Sequence, residues 1–131
     1  MEVQDLYLSK YDWSIRVFYN ATYRNTASIV EHLESNNYSE ATIDAVYSSM
    51  STMGYDSGMT VVDKKRRLAT LVISKATCPS EFFNTLIHEL NHLSDFIAEA
   101  NGISASGETI SYMIGNIGML MFPRAGKFLC H

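Results

Sequence analysis

From Pro79 to Gly102 the chain reads PSEFFNTLIHELNHLSDFIAEANG. Proline presets the backbone angle of a first helical turn, and Glu81 suits the positive end of a helix. Asn101-Gly102 supplies the left-handed residue that stops one. In between, Leu86, Leu90, Leu93 and Ile97 gather on one side when residues are stepped by 100°. This predicts a long amphipathic helix reaching to about Ala100. Such a helix draws its stability from burying its stripe against something apolar, so the rest of the chain must supply an apolar surface.

Three segments read as that surface. WSIRVFYNATY (13–23) is aromatic and β-branched and alternates at Ile15, Val17 and Tyr19, which predicts a strand. MTVVD and LATLVIS, separated by KKRR, predict an antiparallel pair. Two shorter helices are expected between the first strand and this pair. One is capped by Asn25 or Thr26 and carries Ile29, Val30 and Leu33. The other is capped by Ser39 and carries Ile43, Val46, Tyr47 and Met50. GYDSG (54–58) is turn chemistry. A last helix is predicted from about Gly107 to Met121, ended by Pro123, with Ile110, Met113, Ile114 and Ile117 as its apolar side. The order strand, helix, helix, strand pair, long helix, helix predicts an α+β fold. In it a small antiparallel or mixed sheet packs against the long helix and the helix that follows.

At 131 residues, 47% of them hydrophobic, the chain suits one domain over residues 1–131 with a core that needs no staples. A net charge of −4, with DKKRR (63–67) as the only basic run, argues against a nucleic-acid partner. That run reads as a solvated turn or strand edge. MIGNIGMLMF is too short and interrupted to span a membrane, and the N-terminus lacks the pattern of a signal peptide. Cys78 and Cys130 show no disulfide spacing, which predicts reduced thiols and a cytoplasmic setting. The GKFLCH terminus reads as a frayed tail.

His88 and His92 lie on the polar side of the long helix. At i and i+4 they stand one above the other, where two imidazoles can converge on one cation. Glu89 falls about 100° round, on the shoulder of that face, where it can reach a metal-bound water without ligating the metal. This is an H-E-x-x-H pattern, and its chance occurrence in a chain of this composition is about 1%. Catalytic zinc takes three protein ligands and keeps a position open. Asp95 and Glu99 share the face, but Asp95 sits roughly 10 Å along the axis from His88 and Glu99 lies farther still. Asp95 is therefore expected as a supporting or salt-bridge group and Glu99 as plain surface. The third ligand must come from elsewhere, and a chain reversal after Gly102 brings Glu108 back; Cys78, His32 and His131 are the other candidates. Glu108 alone needs no metal to explain it, because a carboxylate suits a first helical turn.

HELNH followed by GETISY, with fifteen residues between His92 and Glu108, resembles the gluzincin branch of zinc metallopeptidases. The layout is similar in particular to the very short zincin-like proteins encoded by bacteriophages and bacterial mobile elements. The specific resemblance covers residues 79–115. It implies a minimal zincin core, Zn²⁺ on His88, His92 and Glu108, and Glu89 as general base in hydrolysis of a peptide or protein substrate. It also implies a bacterial or phage-infected cell as the setting. Large gluzincins carry a further C-terminal domain that walls the cleft, and this sequence has little room for one after the second helix. Tyr112, one turn beyond Glu108, reads either as a donor to the oxyanion or as a half-buried packing residue. LATLVIS, if it formed an exposed sheet edge, would hold an extended peptide by strand addition. The alternatives are a non-catalytic zinc-stabilised interaction domain and a metal-free adaptor using Met113, Met119 and Met121.

Overall fold

The computed structural model describes residues 1–104 and 106–130. It is α+β, built on a four-stranded mixed sheet: β1 (Glu2–Leu8), β2 (Trp13–Ala21), β3 (Gly58–Asp63) and β4 (Leu68–Ser74), in the spatial order β1-β2-β4-β3. β1 pairs antiparallel with β2 and β3 with β4, while β2 and β4 run parallel. Four α-helices complete it: α1 (Thr26–Ser35), α2 (Glu40–Ser51), α3 (Pro79–Ala100) and α4 (Glu108–Ala125).

Strand alternation divides the core into two. Ile15, Val17, Tyr19, Ala69, Leu71 and Ile73 point to one face of the sheet and pack with Phe82, Leu86, Leu90, Leu93 and Ile97 of α3. Met113, Ile117, Met121 and Ala125 of α4 close the same cluster. Phe18, Ala21 and Val72 point to the other face, beneath Ile29 and Leu33 of α1 and Val46 and Met50 of α2. Each fully buried Leu, Ile or Val side chain here is worth about 1.5–3 kcal/mol of transfer free energy. Two of the expected helix caps hold, but Asn25 does not cap α1 with its side chain: its Oδ1 instead accepts from the Thr22 N–H at 2.9 Å, closing the 3-10 turn Tyr23–Asn25 that precedes the helix. The Ser39 side chain accepts from the Thr42 N–H at 3.2 Å. Asn101-Gly102 ends α3, with Gly102 at φ 66° and the Ile103 N–H returning 2.9 Å to the Ala98 carbonyl.

The described part of GKFLCH is not a frayed tail: Gly126–Leu129 forms a 3-10 turn whose Phe128 ring stacks on Tyr19 and Phe82. The fold departs from expectation in four further places. The N-terminal segment forms β1, an edge strand whose inward positions are Glu2, Gln4, Leu6 and Leu8. Two polar residues on that side hide the alternation. Gln4 is nonetheless satisfied, because the Tyr19 hydroxyl donates to its Oε1 at 2.7 Å and its Nε2 donates to the Leu120 carbonyl at 3.1 Å. Second, α4 runs through Pro123 to Ala125. The proline forfeits one hydrogen bond near the helix end, and continuing the helix keeps Met121 and Ala125 in the core. Third, Tyr47 is 60% exposed, so the inner stripe of α2 is Ile43, Val46 and Met50. Fourth, LATLVIS is not an edge. β4 lies between β2 and β3, buried from Ala69 to Ser74, and the edge beside α3 is β3. Asp63 ends β3 and KKRR (64–67) forms the turn between these two strands, and no described helix is long and apolar enough to cross a membrane.

Candidate functional site

Burying the apolar stripe of α3 against the sheet turns His88 and His92 outward, and both are exposed. Their rings stand 4.6 Å apart at 82°, with the two Nε2 atoms facing each other at 3.0 Å. Two nitrogens bound to one zinc at tetrahedral angles are separated by about 3.3 Å, so the pair converges as two ligands of one cation would. A cleft beside them is lined by Asn84, Ile87, His88 and Asn91 of α3 and Ile114 of α4.

Glu89 is 3% exposed, despite being charged and only one residue from His88. Its carboxylate meets β3, where the Thr60 hydroxyl donates to Oε1 at 2.7 Å. The other oxygen, Oε2, has no hydrogen-bond partner among the described residues. Among the described residues the buried polar side-chain atoms without a partner are Trp13 Nε1 and Ser94 Oγ. One oxygen is anchored and one is open, an arrangement that lets a carboxylate accept a proton at a fixed place.

The remaining expected site residues are more scattered. Glu108 is the first residue of α4 and is exposed. Among the described residues no group of three or more His, Cys, Asp or Glu is placed to hold a metal ion, so Glu108 is not gathered with the histidine pair. Tyr112 is 67% exposed, which removes packing as its role. Asp95 is exposed and hydrogen-bonds neither histidine. Glu99 pairs with Lys64 at 2.9 Å on the surface. Cys78 sits at the N-terminus of α3, about 15 Å along the helix from His88, and Cys130 is a second exposed free thiol. His131 lies outside the described residues.

His32 is across the sheet, in a cavity of about 660 Å³ between α1 and β1/β2. Arg16 Nη1 and Asn36 Nδ2, both donors, each lie 3.1 Å from its Nδ1, and Nε2 lies 3.4 Å from the Thr70 hydroxyl. Nδ1 must accept, so His32 is neutral with its proton on Nε2. Burial, then the Arg16 charge, holds its pKa below the ordinary 6.5, while Asp5 pulls the other way. The unfolded chain thus takes up this proton before the folded one does. The stabilising contribution is complete above about pH 6.5 and is lost as the pH falls through the depressed folded value. Denaturant unfolding between pH 8 and pH 5 should show this decline, and His32→Gln should flatten it; an equal decline in the variant would assign it to other groups.

Sequence reasoning missed Gly58 and Thr60. The available signal was the alternation of GMTVVD, which puts Gly58, Thr60 and Val62 on one face with two small residues leading. Compared with protein-family models, with curated proteins and with solved structures, the chain finds no match in any of the three.

Proposed function

We propose that this chain is a zinc-dependent metallopeptidase acting on peptide or protein substrates. The observation that carries the reading is the pairing of two facing imidazole Nε2 atoms, 3.0 Å apart, with an adjacent carboxylate anchored through one oxygen only. His88 and His92 would hold zinc. Glu108 is proposed as the third ligand on the strength of the resemblance of HELNH and GETISY to gluzincins. Zinc in such a site supplies Lewis acidity, acidifying a water and polarising a substrate carbonyl. Glu89 would take the proton of the attacking water on Oε2 and pass it to the leaving amine. Tyr112 is the proposed donor to the oxyanion. Because β3 is the sheet edge beside α3, it replaces β4 as the strand that would pair with an extended substrate. The proposed setting is the cytoplasm, in keeping with two exposed free thiols.

Elemental analysis of protein purified without chelator tests the metal directly. About one zinc per chain is expected. Absence of any transition metal, with no zinc uptake on titration, would overturn the proposal. Cleavage of a broad peptide pool, abolished by chelator and restored by zinc, tests the reaction.

A further inference from the structure

We infer that Thr60 is a positioning residue for Glu89, set on the edge strand so that one oxygen of the base is held and the other left free. This rests on the metallopeptidase reading for its catalytic meaning, though not for its geometry. A carboxylate 3% exposed is costly unless its charge is met by donors. The Thr60 hydroxyl is the donor the described residues provide, 2.7 Å from Oε1.

β3 approaches α3 closely enough to reach this carboxylate because of Gly58, two residues before Thr60 on the same face. A Cβ built at Gly58 would lie 3.0 Å from Glu89 Cγ, 3.0 Å from Thr85 Cγ2 and 2.9 Å from the Val72 carbonyl oxygen. The stem of Glu89 thus occupies the space a side chain would fill. Gly58 is absent from the glycines with positive φ, so close approach rather than turn geometry accounts for it. Val72 belongs to the neighbouring strand β4, which stops β3 from shifting sideways to relieve a clash. Glu89 is therefore gripped along its length, by the missing Cβ at Cγ and by the hydroxyl at Oε1.

A purely structural tie between α3 and β3 would look similar in a static structure, so the test must separate the two. Thr60→Val removes the hydroxyl and keeps the branched shape, whereas Thr60→Ser keeps the hydroxyl. Zinc-loaded parent, both variants and Glu89→Gln are assayed on a peptide the parent cleaves, and the crystal structure of Thr60→Val is determined. The expected result for Thr60→Val is a kcat lower by about 10- to 100-fold, the scale of a misplaced catalytic group, with KM changed by less than about 3-fold. Thr60→Ser should restore kcat to within about 3-fold. In the Thr60→Val crystal the Glu89 carboxylate should leave its parental position or spread over several. A parental kcat in Thr60→Val, or loss without rescue by Thr60→Ser, overturns the inference. Should the parent and Glu89→Gln prove equally inactive, the metallopeptidase reading fails by itself. The crystal then decides alone: a Glu89 carboxylate unmoved in Thr60→Val overturns the positioning role, and a displaced one supports it.

Discussion

His92→Ala is expected to keep the fold and lose tight zinc binding. The side chain is exposed, and among the described residues its one polar contact is with His88 Nε2. Truncating it opens no cavity, so the cost in stability should stay within about 0.5 kcal/mol, as for ordinary surface changes. Zinc binding is another matter. Apparent zinc binding energies of ~10–16 kcal/mol, shared over about four ligands, imply roughly 3 kcal/mol per ligand, or at least ~100-fold in affinity. Losing one of two converging nitrogens also leaves a single imidazole with nothing on α3 to share the ion. Asp95→Ala is the control, because Asp95 lies on the same face but bonds neither histidine. Its zinc affinity should fall by less than about 10-fold. Titration against a chromophoric chelator reads both affinities, and unfolding curves confirm that both variants are folded. Equal losses would mean that Asp95 approaches the metal despite the helix rise that separates it from His88.

Much of this architecture was legible because it is written in local periodicity. The stripe Leu86, Leu90, Leu93, Ile97 fixes which face of α3 is buried, and hence that His88 and His92 face outward. Ser39 and Asn101-Gly102 mark helix ends through chemistry confined to a few residues. What escaped was tertiary. β1 hides its inner face behind Glu2 and Gln4, and Gln4 is tolerated there only because Tyr19 and Leu120, distant in sequence, satisfy it. Local rules end α4 at Pro123, but the Met121 and Ala125 contacts with the core carry it on. The exchange of β3 for β4 at the sheet edge has the same origin, since strand order depends on the parallel pairing of β2 with β4. The candidate site divides along the same line. The histidine pair and Glu89 lie within five consecutive residues of one helix and could be found by spacing. Thr60 and Gly58 reach Glu89 across 29 and 31 positions of chain, through a contact that only the packed sheet creates.

Glu89→Gln should bind zinc nearly as well as the parent and hydrolyse peptides at least ~100-fold more slowly, the usual scale for losing a general base. The environment of Glu89 makes this substitution unusually clean. Thr60 donates to Oε1, and a glutamine can present its own carbonyl oxygen to the same hydroxyl, so the tie between α3 and β3 survives. What then faces outward is the amide NH₂ in place of Oε2: a donor without basicity replaces the free lone pairs of the carboxylate. Fold and buried hydrogen bond are kept while proton acceptance is lost. Glu89 sits about 100° round the helix from His88 and is committed to β3, so zinc affinity should change by less than about 3-fold. Glu108→Gln should show the opposite pattern, weakening zinc binding itself by at least ~10-fold if Glu108 is an anionic ligand. Zinc affinity and peptide cleavage read by mass spectrometry, measured on parent and both variants, separate the roles. Parental cleavage by Glu89→Gln would rule out a glutamate base. Tight zinc binding by all three proteins would remove Glu108 from the ligand set. Zinc bound by a parent that cleaves nothing in the pool would move the reading to a zinc-stabilised interaction domain, in which Glu89 and Thr60 serve only to fasten the long helix to the edge of the sheet.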